Sequence, residues 1–92
     1  MIRVKVKFFA YFREVFGARE KEMALESGSA LSILLRQLTQ TPEQRSEIFQ
    51  GGGLKPQVVV MVNGSVISEQ NFSDTKLEDG AVVAIFPMMG GG

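Results

Sequence analysis

The sequence predicts an α+β domain in which a mixed sheet of four to five strands carries one main helix across one face. Three observations predict it. The chain opens on a period-two alternation, Ile2 to Phe9, and its last apolar run, Ala81 to Phe86, is again strand-like. A single leucine stripe at helical spacing lies between them, and Asn63-Gly64 supplies a tight hairpin late in the chain. Where strands outnumber one long helix, that helix is left to cover a face of the sheet.

Each element follows from its residues. In Ile2-Arg3-Val4-Lys5-Val6-Lys7-Phe8-Phe9, apolar and basic residues alternate, so Ile2, Val4, Val6 and Phe8 share a buried face. Arg3, Lys5, Lys7 and, by the same parity, Phe9 point the other way. From Ala10 the period changes: Phe12, Val15 and Phe16 fall at i, i+3 and i+4, a short helical turn that Gly17 can end in the left-handed conformation. Lys21 to Leu25 alternates again and folds back on the first strand as a wide hairpin. Ser27-Gly28-Ser29 breaks the chain, with Ser29 placed to cap the helix that follows. Leu31, Leu34, Leu35 and Leu38 form the apolar stripe of that helix, widened by Ile33. Thr41-Pro42-Glu43-Gln44 reads as a second start, with a cap, proline at the first helical position and glutamine at the third, running to about Phe49.

Gly51-Gly52-Gly53 lacks the Lys-Ser/Thr that a phosphate-cradling loop would carry into a helix, and is read as a connector into the next strand. That strand, Val58 to Val62, is continuously apolar and is expected to be covered on both faces or nearly so. Asn63-Gly64 turns it into a short return, Ser65 to Ser68. Gln70 to Leu77 is irregular, anchored by Phe72 and Leu77, and Glu78-Asp79-Gly80 leads into the last strand. Pro87 brings no N–H, so a central ladder is expected to end there. First and last strands placed side by side in parallel let the intervening segment form the crossover. This is a β-grasp, or ubiquitin-like, arrangement, with residues 1–87 as the domain and 88–92 as a flexible C-terminal tail.

Composition limits what such a domain can do. Ten basic and ten acidic residues cancel, which gives no general attraction to nucleic acid or to an anionic membrane. Cysteine and histidine are both absent, removing thiol nucleophiles, thiolate metal sites and the commonest general base. These absences argue against an autonomous enzyme and against a metal centre. No stretch is apolar for long enough to span a bilayer, and Arg3, Lys5 and Lys7 interrupt any signal-peptide core, so a cytoplasmic protein is expected.

The reactive group is sought at the end of the chain, Phe86-Pro87-Met88-Met89-Gly90-Gly91-Gly92. Glycines without a Cβ can thread a narrow channel, which makes the Gly92 carboxylate the candidate working group and Gly90 and Gly91 its thread. From Pro87 the extended chain reaches about 20 Å at roughly 3.3 Å per residue. Strand parity adds a docking surface. If Val83 and Ile85 face the core, Phe86 is left outside like Phe9, and parallel neighbours bring the two rings together beside Arg13. Exposed aromatics next to an arginine mark a protein interface.

Taken together, Phe8-Phe9-Ala10 with Arg13-Glu14 and Gly17, Val62-Asn63-Gly64, Leu77-Glu78-Asp79-Gly80, Val83-Ala84-Ile85-Phe86-Pro87 and the terminal Gly91-Gly92 resemble the small subunit of molybdopterin synthase, within the ubiquitin-like sulfur carriers. The resemblance covers essentially the whole chain. It departs where that family commonly has a second proline (here Met88) and an acidic residue (here Ala81), and Gly90 makes a triple glycine as in thiamine-pathway carriers. The resemblance implies that an ATP-dependent activating enzyme adenylates Gly92, that a sulfur donor protein converts it to a thiocarboxylate, and that the tail enters the synthase large subunit to build the dithiolene of molybdopterin. It implies partner contacts through Phe9, Arg13, Phe86, Pro87, Met88 and Met89, with no cofactor held by the domain and ATP used only by the activating partner. Two other classes share the tail. One is a sulfur carrier of another pathway, thiamine-type, or a ubiquitin-like modifier conjugated through Gly92; the other is a plain β-grasp interaction domain.

Overall fold

The two alternating segments at the chain's ends form the middle of one sheet. In the computed structural model, which describes residues 1–88, β1 (Ile2–Phe8) runs parallel to β7 (Val82–Pro87), with Lys5 opposite Val82 and Phe8 opposite Ile85. β2 (Glu20–Leu25) returns antiparallel along β1 at one edge. On the other side of β7 lies β5 (Val58–Val62), also antiparallel, followed by the two-residue β6 (Ser65–Val66). The order across the five-stranded sheet is β2-β1-β7-β5-β6.

Parity then assigns the faces as the sequence predicts. Val4 and Val6 are fully buried, as are Val83 and Ile85, while Phe8 and Val60 are 1% exposed. Helix α2 (Leu31–Leu38) lays Leu31, Leu34, Leu35 and Leu38 against this face, all buried. Burying one such side chain contributes about 1.5–3 kcal/mol, so the stripe and the sheet hold each other. Helix α1 (Phe12–Phe16) inserts Phe12 into the core and stacks Phe16 on Phe8 with ring centroids 4.5 Å apart. Helix α3 (Pro42–Ile48) adds Ile48, and a 3₁₀ turn (Glu69–Asp74) adds Phe72. Leu77 is buried as expected. The α3 start is the one the sequence predicts: the Gln44 N–H donates to Thr41 Oγ1 at 3.1 Å, and the Gln44 side chain accepts from the Gln40 N–H at 2.9 Å.

Five local expectations are corrected. Ser29 does not cap α2; Ala30 stands at the cap position, and the Leu31 N–H donates instead to the Thr75 carbonyl at 2.8 Å. The segment after the 3₁₀ turn bridges to Ala30 through Lys76, so long-range backbone pairing replaces the local side chain. Gly51-Gly52-Gly53 is no loose connector. Gly51 and Gly52, at φ +62° and +85°, form the tight turn of a small hairpin between β3 (Phe49–Gln50) and β4 (Gly53–Leu54). The return after Asn63-Gly64 pairs only at Ser65 and Val66, although the Ile67 N–H still reaches the Val60 carbonyl. β5 is covered fully on one face only, since Val58 and Val60 are buried whereas Val59 and Met61 are half-buried.

The fifth correction concerns Pro87. Pairing does not stop there: Pro87 sits opposite Val58, and the Met88 N–H donates to the Gln57 carbonyl. The missing N–H belongs to the other side, toward β1, where regular continuation would aim it at the Phe9 carbonyl. That carbonyl already accepts the Phe12 N–H as α1 begins. Proline is therefore tolerated in a central strand because its neighbour has left.

Candidate functional site

The exit from β1 places the candidate residues. Ala10 takes φ +54°, a left-handed conformation unusual for a residue with a Cβ, and turns the chain abruptly from strand into α1. Phe9 stays on the outer face of the sheet, 37% exposed, while Phe8 next to it is buried. Phe86 lies on the same outer face of β7. The two rings meet edge to face, centroids 6.0 Å apart and planes at 88°. Arg13 closes the group: its Nε–H donates to the Phe8 carbonyl at 3.0 Å, which holds the guanidinium 5.6 Å from the centre of the Phe9 ring. Phe12 and Phe16 do not cover this pair, being turned to the core.

A shallow groove of about 380 Å³ runs along this surface, lined by Phe9, Ala10, Met61, Ala84, Phe86 and Pro87. Met88, 61% exposed, continues it at the end of β7. The structure therefore brings together Phe9, Arg13, Phe86 and Pro87, with Met88 adjacent. Met89, Gly90, Gly91 and Gly92 lie outside the described residues, as does the tail read from the sequence beyond Met88.

Sequence reasoning missed three lining residues. Met61 and Ala84 follow from the alternation that buries Val60, Val83 and Ile85, but an unbroken apolar β5 hides its own parity. Ala10 belongs to the Phe8-Phe9-Ala10 motif, but its place in the lining depends on a backbone angle that periodicity does not show. Along the outer face toward β2, Arg3 pairs with Glu22 at 3.0 Å and Lys5 with Glu20 at 3.4 Å. Both pairs are largely exposed, so they bound the apolar surface more than they stabilise the fold. Among the described residues no helix is long and apolar enough to cross a membrane.

Residues 6–92 match the profile of the ThiS family. The chain belongs to that family. It is thereby a ubiquitin-like sulfur carrier or modifier, on the β-grasp fold that the sheet order describes. A curated relative, small archaeal modifier protein 3 of Haloferax volcanii, is 29% identical over 92 residues, covering 99% of this chain and all of its own. Two solved structures extend the likeness. Small archaeal modifier protein 1 of Methanosarcina acetivorans is 30% identical at a TM-score of 0.82, covering 100% of this chain and 98% of its own. A Pyrococcus furiosus protein described as a candidate molybdopterin converting factor, subunit 1, is 35% identical at a TM-score of 0.76, covering 95% of this chain and 98% of its own.

Proposed function

We propose that this ThiS-family protein is the sulfur-carrying small subunit of a molybdopterin synthase, with Gly92 as the reacting residue. The observation that carries the reading is the 35% identity to the Pyrococcus molybdopterin converting factor subunit, above the 29% and 30% shared with the two modifier proteins. The outer face of β1 and β7 suits it. Phe9 and Phe86 form an apolar anchor beside Arg13, and Pro87 and Met88 start the chain from that same surface. A large subunit docked there receives the glycines without any change in the domain.

The chemistry runs on partners acting in the cytoplasm. The Gly92 carboxylate is a poor electrophile; an activating enzyme joins one oxygen to the α-phosphorus of ATP and releases pyrophosphate. The terminal sulfur of a donor protein's persulfide then attacks the acyl carbon and AMP leaves; a second thiol of the partner cleaves the S–S bond, taking the donor sulfur as a disulfide and releasing the thiocarboxylate. In the large subunit the thiocarboxylate sulfur bonds to a carbon of a pterin precursor in place of an oxygen substituent, and water then cleaves the acyl–sulfur bond and returns the carboxylate. This chain contributes docking and reach, holds no metal or cofactor, and needs ATP only through its activator.

A second reading, favoured by the names of two relatives, makes Gly92 the point of attachment to a lysine of a target protein. Deleting the gene in its host separates the two. Loss of molybdopterin, restored by the intact chain, supports the carrier. Unchanged molybdopterin together with lost conjugates on denaturing gels would select the modifier.

A further inference from the structure

We propose that the groove enclosed by α2, α3 and the β3–β4 hairpin binds a small organic phosphate, its head held by Arg36 and Arg45. The groove lies on the helix-covered side of the sheet, away from the Phe9–Phe86 surface, so its occupancy leaves that surface free. Its volume, about 750 Å³, is that of a small-molecule site.

Its lining sorts by chemistry. Arg36 comes from the last turn of α2 and Arg45 from α3, and neither has a carboxylate within ion-pairing distance; the ion pairs among the described residues are Arg3–Glu22 and Lys5–Glu20. Arg45 is braced across the gap by a long 3.5 Å bond from Nη2 to the Thr39 carbonyl, leaving its other donors free. The lining carboxylate, Glu69, is engaged: its Oε2 accepts the Leu54 N–H at 2.7 Å and pins the hairpin. Two guanidinium forks thus line the concavity unpaired, and against the single charge of Glu69 they leave the lining net positive.

The remaining walls define the ligand. Ser32 and Ser73 add hydroxyl donors, which suits a head with three acceptor oxygens better than a carboxylate with two. Leu35 and Phe72 make an apolar floor, and half-buried Phe49 offers part of its ring to a flat body. Gly51 and Gly52 keep the rim open, since their positive φ favours residues without a side chain. The ligand class is a phosphate monoester with a planar or apolar body.

The test is a titration of the isotopically labelled full chain with AMP, followed by amide chemical shifts. Saturable shifts at Ser32, Gly51, Gly52 and Ser73, with none at Phe9, Met61 or Phe86, are the expected result. Adenosine should bind about tenfold more weakly or worse, and so should AMP to the Arg36→Gln/Arg45→Gln double variant, because each charged hydrogen bond is worth that much. Both arginines are exposed, and an unchanged melting curve verifies that the variant is folded. Absence of saturable shifts overturns the proposal, as does an unaltered response in the double variant. Equal binding of citrate overturns the choice of phosphate, and preference for an acidic peptide over AMP overturns the choice of a small molecule.

Discussion

Adjacent phenylalanines with opposite environments allow the docking surface to be tested without ambiguity between folding and binding. Phe9 is 37% exposed; beyond the area it buries, it gives the fold one edge-to-face contact with Phe86 and one arginine over its ring. Such contacts are worth about 0.5–1.5 and 0.5–1 kcal/mol. With about 1–2 kcal/mol more for the part of the ring taken out of water, Phe9→Ala should cost about 2–3 kcal/mol of stability. At about 4–8 °C per kcal/mol for a domain of this size, the chain melts roughly 10–20 °C lower but remains folded at room temperature. Phe8, 1% exposed and stacked on Phe16 at 4.5 Å, is the control. Phe8→Ala should cost about 3–5 kcal/mol, a large part of the 5–15 kcal/mol that holds a typical domain. Binding should rank the two in reverse. If Phe9 anchors the large subunit, its removal costs at least about 2 kcal/mol of affinity, roughly thirtyfold in Kd. Thermal melts and calorimetric titration of folded protein read both quantities. The reasoning is refuted if Phe9→Ala unfolds the chain as Phe8→Ala does, or if it binds the large subunit with unchanged affinity.

Three further outcomes are expected. One alanine appended after Gly92 should abolish adenylation by the activating enzyme with ATP, seen as lost pyrophosphate release; normal turnover would remove Gly92 from the chemistry. Asn63→Ala should cost about 2 kcal/mol in urea unfolding, because it loses the 2.9 Å bond accepted from the Val82 N–H and forces an alanine to φ +49°. Asn63→Gly, which loses only the bond, should cost less, and equal losses would discredit the backbone argument. Tyr11 is the chain's single tyrosine, so its phenol can be titrated by absorbance. Desolvation first, and then the negative charge and hydrogen bonding of Glu47, push it above its ordinary value. The neutral form is favoured in the folded state, so any stability from this group is present below the ordinary value and is lost as pH rises through the shifted one. Glu47→Gln should lower the midpoint part of the way, and an unmoved midpoint would assign the whole shift to burial.

Sequence made the sheet legible wherever one face of an element is polar. The basic residues between Ile2, Val4 and Val6 reveal the strand, its buried side and the outward position of Phe9; Ala81 to Phe86 has no polar residue, so Phe86 is placed outside only on the condition that Val83 and Ile85 face the core. Their meeting needed only the parallel register. Where polar punctuation is missing the reading weakens: Val58 to Val62 gives no hint that Met61 faces the groove. The start of α2 was misassigned because a nearby serine is a strong local signal, while the partner that replaces it, Thr75, is far away in the chain. The glycine hairpin was unreadable because three glycines fit a loose connector and a tight turn equally well. The groove beside it, built from four separate segments, has no linear signature at all.

The proline near the end of β7 also decides how the chain can leave the sheet. Val83 and Ile85 lie between two ladders and cannot be freed without parting β1 from β7. Beyond Ile85 the strand is held on the β5 side alone, and its last described tie is the bond from Met88 to Gln57. A ladder fastened along one margin opens from its tip one bond at a time, so slow amide exchange should stop at Ile85 and fall away at Met88. Peeling Met88 from the sheet costs on the order of 1 kcal/mol, the net worth of one hydrogen bond, where global unfolding costs several times more. A partner can draw the end of the chain outward while the core stays intact.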